Sequence, residues 1–179
     1  GGYVRGVPGQ RPPDGRPCVY TLDFDWRHDN VDTARRLDAL IDQIRLDHGR
    51  PDLKVDVIAH SMGGLVVRYY ARYGTVDVID RNDFPVTLAG ETKLRRVVLL
   101  GTPNLGSIRA LHSLVTGFTV GPVKVPPEIV ATMPSAYQLL PHAINDWIMT
   151  PQGRSLDRDQ FDVEIWQRFG WGVFDPAVR

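Results

Sequence analysis

Residues 55–64, Val-Asp-Val-Ile-Ala-His-Ser-Met-Gly-Gly, read as a strand that stops abruptly at Ser61 and restarts as a helix. Few local sequences constrain a fold as tightly. Apolar Val55, Val57 and Ile58 precede the break, and Leu65 to Tyr73 continue it with helical spacing up to Gly74, a C-cap residue. A serine at such a break is held in a strained backbone conformation, which demands small neighbours two residues to either side. Ala59 and Gly63 are those neighbours, and Gly64 lets the helix pass close to the sheet. Alanine at the first position departs from the usual glycine, although one methyl fits. The pattern has two readings, a nucleophile presented on a sharp turn or an ordinary strand–turn–helix with a capping serine. His60 is adjacent on the strand and therefore points away from Ser61, so it reads as packing or hydrogen-bonding structure rather than as a base.

A chain of 179 residues suffices for one domain with a sizeable core. Charge is balanced, 21 basic against 21 acidic residues, which gives nucleic-acid binding little electrostatic support. The single cysteine, Cys18, excludes an internal disulfide and a cysteine-based metal site. No metal or other cofactor is implied. Neither a signal peptide nor a transmembrane run is present, which tilts the compartment toward the cytoplasm; residue 1 is glycine rather than methionine, so the natural start is not fixed.

The remaining chain reads as alternating strands and helices. Residues 1–17, rich in glycine and proline, predict loop. Cys18 to Phe24 predict a strand, and Val31 to His48 a helix with the stripe Leu37, Leu40, Ile41 and Ile44, closed by Gly49 and Pro51. A polar connection over 75–93 leads to a strand from Arg95 to Leu100, whose Val97–Leu100 run suits burial on both faces. This alternation predicts a parallel α/β sheet, in which ligands bind at the carboxyl ends of the strands. Three clusters fall at that edge: Asp25-Trp26-Arg27, the Ser61 turn, and Gly101 to Ser107. Trp26, Thr102, Pro103 and Asn104 are thus candidate substrate contacts. Equally, Trp26 could cap the core, Arg27 could pair with Asp25, and residues 102–106 could be only a turn.

The expected organisation is one domain: a βαβαβ core over 18–107, an irregular cap or lid over 108–150, and a C-terminal helix and tail over 151–179. The cap could instead be a loop excursion filling its own small core. Phe161, Ile165, Trp166 and Phe169 mark a short amphipathic helix, and Trp171 and Phe174 after it need cover.

Four segments together resemble the lecithin:cholesterol acyltransferase family of α/β-hydrolases: Phe24-Asp25-Trp26-Arg27, Ala59 to Gly64, Gly101 to Ser107, and Met133 to Pro141. They occur in family order over most of residues 20–141. The serine segment is shared with many lipases; the other three discriminate. The resemblance implies a partial α/β-hydrolase fold and lipid-ester chemistry, with Ser61 as nucleophile and the Met62 backbone N–H as half of the oxyanion hole. It implies a lipid or other ester as substrate, no nucleic acid, and room for transient contact with a membrane or lipid surface.

In that fold the triad runs in the order Ser, acid, His. The last histidine is His142, and the aspartates between Ser61 and the cap are Asp77, Asp80 and Asp83, in a helix-to-strand connection at the opposite edge of the sheet. Asp146, Asp157, Asp159, Asp162 and Asp175 have no histidine after them. The acid and histidine are therefore expected outside this chain, as is a strand between Cys18–Phe24 and the Ser61 strand, whose absence would leave backbone groups unpaired. A triacylglycerol lipase or carboxylesterase, and a non-catalytic lipid-binding module, are the alternative readings.

Overall fold

A computed structural model describes residues 2–13, 16–79, 85–142, 144, 147–156 and 158–176. Asp80, Asp83, Asp146 and Asp157 lie outside the described residues. The architecture is mixed α/β, with small sheets and helices. Contacts group the chain into two compact units, one of residues 1–26 and 30–102, the other of residues 27–29 and 103–179.

The first unit is organised by one parallel strand pair. Strand β1 (Val4–Arg5) pairs with β2 (Cys18–Val19), helix α1 covers Asn30–Asp47, strand β3 covers Val55–His60, helix α2 covers Gly63–Tyr73, and β4 covers Leu94–Leu100. β3 and β4 run parallel with Val57 opposite Val97 and His60 opposite Leu100. Alternation along β3 sends Val55, Val57 and Ala59 toward the helices, where Leu37 and Ile41 of α1 and Val66, Val67 and Tyr70 of α2 close the core. A polar clasp ties its rim. Asp38 Oδ1 accepts hydrogen bonds from Tyr70 Oη and Lys93 Nζ, both at 2.6 Å, and Lys93 also reaches Asp42 at 2.7 Å.

Three expectations are corrected in this unit. The strand expected over Cys18–Phe24 is two residues long, because its partner β1 is equally short, and that partner lies in the segment expected to be loop. The Val97–Leu100 run is not buried on both faces: Val97, Val98 and Leu100 are exposed, as is Ile58 at 73%. Among the described residues of this unit, α1 and α2 both pack on the Val55–Val57–Ala59 face of this two-stranded sheet, so the apolar run meets helical cover on that side. His60 does not pack; it stands exposed on the open face with Ile58.

The second unit holds helix α3 (Ile108–Thr116), an antiparallel hairpin of β5 (Phe118–Val120) and β6 (Val123–Val125), and helices α4 (Pro127–Val130), α5 (Pro134–Gln138) and α6 (Val163–Phe169). Segments 108–150 and 151–179 share one core, built from Leu111, Leu114, Val130, Met133, Ala136, Leu140 and Trp166. Trp166 is buried and its indole N–H donates to Gln160 O at 2.6 Å, whereas Phe161 and Phe169 of the expected stripe are exposed. Trp171 and Phe174 are half-buried against this core.

Candidate active site

The turn between β3 and α2 is built by main-chain hydrogen bonds on both sides of Ser61. Its N–H donates to Leu100 O on β4 at 2.9 Å, continuing the ladder one residue past the strand, and its C=O accepts from Gly64 N at 3.1 Å. Between those bonds the chain must reverse from extended to helical. Ser61 absorbs the reversal with φ of 52°, a left-handed value rare outside glycine. The side chain is exposed. Met62 follows with helical dihedrals and is buried.

The Met62 N–H has no hydrogen-bond partner among the described residues. It lies at the N-terminus of the eleven-residue α2, whose first turn carries no acidic residue, so the partial positive charge there is not offset locally. The small-residue requirement falls mainly on Gly64. A Cβ on Gly64 would stand 2.8 Å from Thr102 Cβ, whereas one on Gly63 would meet only a Phe24 ring carbon at 3.9 Å. The methyl of Ala59 fits, buried in the core. Thr102 therefore seats the start of α2 against the end of β4, and its Oγ1 is buried without a hydrogen-bond partner among the described residues.

The other candidate residues are placed as follows. Trp26 is 47% exposed in the first unit. Pro103 and Asn104 belong to the second unit, in a turn closed by Gly106 N to Pro103 O at 3.0 Å. That turn is clasped to the segment 133–141. Ser107 N donates to Leu139 O and His142 N to Leu105 O, each at 2.8 Å. Gly106, at φ 83°, lies so close to the Leu140–Pro141 backbone that a Cβ would overlap it. Gln138 Nε2 adds a hydrogen bond of 2.8 Å to Asp29 Oδ1. Sequence reasoning quoted these segments separately; the structure joins them through main-chain bonds that no side-chain pattern encodes.

Among the described residues of the first unit, none is hydrogen-bonded to the Ser61 side chain as a base would be. That unit's histidines are His48, 3.1 Å from Tyr20 Oη, and His60 on the open sheet face. Asp77 accepts from Ile79 N beyond the far end of α2, about 16 Å of helix away from Ser61. In the second unit, His142 Nδ1 accepts from Ile144 N, Asp162 caps α6 through Glu164 N, and Asp159 accepts from Phe161 N. Among the described residues no three His, Cys, Asp or Glu side chains converge as a metal site would require, and no helix is long and apolar enough to cross a membrane.

A family model described as lecithin:cholesterol acyltransferase matches residues 16–169. A solved structure titled "The crystal structure of Tle4-Tli4 complex" is similar over 81% of this chain, with a TM-score of 0.52 and 19% sequence identity. The matched region spans 31% of that structure's chain. The search of curated proteins returns no match.

Proposed function

The chain belongs to the lecithin:cholesterol acyltransferase family, and on that premise we propose that it carries the nucleophile and half the oxyanion hole of an acyl-transferring enzyme with a partial α/β-hydrolase fold. Ser61 Oγ attacks the carbonyl carbon of a lipid ester. The carbonyl oxygen gains charge as the bond forms and is met by the Met62 N–H at the start of α2. Collapse expels the alcohol and leaves the acyl group on Ser61; water or another hydroxyl then accepts it. The serine proton needs a base, and we assign the histidine and its acid to polypeptide outside residues 1–179. Trp26 and Thr102 in the first unit, and Pro103 and Asn104 in the second, are each proposed as substrate contacts.

The single observation that carries this reading is the left-handed φ of the exposed Ser61 between a strand and a helix. A capping serine needs no such strain, since N-caps normally occupy extended backbone. The test is labelling of the whole protein that contains this segment with a fluorophosphonate probe. Modification of Ser61, abolished in Ser61→Ala, supports the enzyme; an unlabelled Ser61 with lipid still bound favours a non-catalytic binding module. Product analysis with phospholipid, with and without an added alcohol or sterol, separates acyl transfer from the plain hydrolysis of a triacylglycerol lipase or carboxylesterase.

A further inference from the structure

The carboxyl end of β4 touches the Ser61 turn at two points, both inside the first unit. On the strand side the Leu100 carbonyl accepts from the Ser61 N–H at 2.9 Å. Gly101, at φ 59°, then redirects the chain, and Thr102 comes to rest on the first turn of α2. A Cβ on Gly64 would overlap Thr102 Oγ1 and stand 2.8 Å from both Thr102 Cβ and Cγ2. Rotating χ1 of Thr102 would exchange the nearest γ atom but leave its Cβ where it is. The bonds at the start of the helix, Gly64 N to Ser61 O at 3.1 Å and Leu65 N to Met62 O at 2.9 Å, are internal to the turn and travel with it. They leave the separation of α2 from β4 to packing, and at this end Thr102 is the wedge.

Met62 lies between these two points. Ser61 is tied to the sheet through its amide, and Gly64 is stopped by the threonine side chain. Moving the second point while the first stays bonded tilts the peptide that carries the Met62 N–H. We propose that Thr102 is a positioning residue for the oxyanion donor, its side chain setting how far α2 stands from β4 and with it the aim of the Met62 N–H. This rests on the acyl-transfer reading of Ser61 and adds to it a role for Thr102 distinct from touching substrate. The role belongs to the shape of the side chain. Its Oγ1 is buried and has no hydrogen-bond partner among the described residues, where a hydroxyl kept for a bond would have one. Relieving a Cβ overlap at Gly64 requires movement on the order of 1 Å, enough to cost about a hundredfold in rate at a reacting centre.

The test uses the whole protein that contains this segment, with a fluorophosphonate probe for Ser61 and a p-nitrophenyl ester for turnover. Gly64→Ala should lower kcat about a hundredfold and leave KM within about twofold, because the Met62 N–H meets charge that exists only in the transition state. Thr102→Gly in the same chain, which removes the opposing Cβ, should restore about tenfold of that loss. Thr102→Val keeps the wedge without the hydroxyl and should stay within about threefold of the unmodified protein, whereas Thr102→Ala, lacking both γ atoms, should fall about tenfold in kcat. Circular dichroism checks that each variant is folded; where Gly64→Ala is not, the Val and Ala variants decide, since they leave α2 unaltered. Three results overturn the proposal: a folded double variant without rescue, a Thr102→Val loss equal to that of Thr102→Ala, or a raised KM with unchanged kcat in Thr102→Ala. The last would make Thr102 a substrate contact alone. An unmodified protein whose Ser61 takes no probe refutes the acyl-transfer reading and this inference together, whereas equal probe uptake by the unmodified protein and a folded Gly64→Ala refutes the positioning role alone.

Discussion

Replacing Ser61 by glycine and by alanine separates backbone strain from side-chain chemistry at the turn. An L-residue in the left-handed region costs about 1–2 kcal/mol, and Ser61→Ala keeps that cost because its Cβ remains. Ser61→Gly removes the cost but adds about 0.4–1 kcal/mol of unfolded-state entropy to be lost on folding. With the side chain exposed, little packing changes in either variant. The glycine variant should therefore be more stable than the alanine variant by about 0.5–1 kcal/mol. At an ordinary helix or strand position the sign reverses, alanine winning by about 0.5–1 kcal/mol. Because the chain forms two units, the measurement should read the first one directly, by native-state hydrogen exchange at β3 and α2 amides. An alanine variant equal to or more stable than the glycine variant would refute the claim that Ser61 is held under strain.

Gly64→Ala should destabilise the first unit by about 1–3 kcal/mol through overlap with Thr102, and Thr102→Gly in the same chain, which removes the opposing Cβ as well, should recover at least half in a denaturation cycle. Tyr70→Phe removes one donor to Asp38 and should cost about 1–2 kcal/mol in the same measurement. The clasp also sets a pH profile. Burial alone would raise Asp38 and lower Lys93, but hydrogen bonding and charge between them prevail, holding the carboxyl below its usual range and the ammonium above its own. The Asp38 contribution is present above the ordinary carboxylate range and lost as pH falls through the lower folded value; the Lys93 contribution is present below the ordinary lysine range and lost as pH rises through the higher one. Lys93→Met should flatten both limbs of stability measured against pH. Leu114→Ala, at a fully buried position, should cost the second unit about 2–5 kcal/mol in a urea titration.

The elements that sequence reasoning located well are those whose signals are local. α1 begins and ends within a residue of expectation because its apolar stripe is periodic and Gly49 stops it. β3 and α2 are marked by the change from period two to period 3.6 around Ser61. β1 was illegible because a two-residue strand has no periodicity and exists only through β2, fourteen residues later. The exposure of Val98 and Leu100 was equally hidden, since composition records apolarity and not which face finds cover. The Asp38–Lys93 bond links residues 55 apart, a separation no spacing rule reaches. At the candidate site the serine and its small neighbours were readable. The transfer of the steric demand to Gly64 was not, because it depends on where Thr102 lands.

The bonds that shape the turn belong entirely to the main chain: amide to Leu100 carbonyl on one side, carbonyl to Gly64 amide on the other. Whatever group stands at position 61 inherits the same perch, aimed by the peptide framework rather than by its own contacts. A thiol in place of the hydroxyl would occupy the same spot without rebuilding its surroundings. The scaffold and the reactive atom are thus separable, and the crest can change its chemistry by single exchanges while the architecture beneath stays constant.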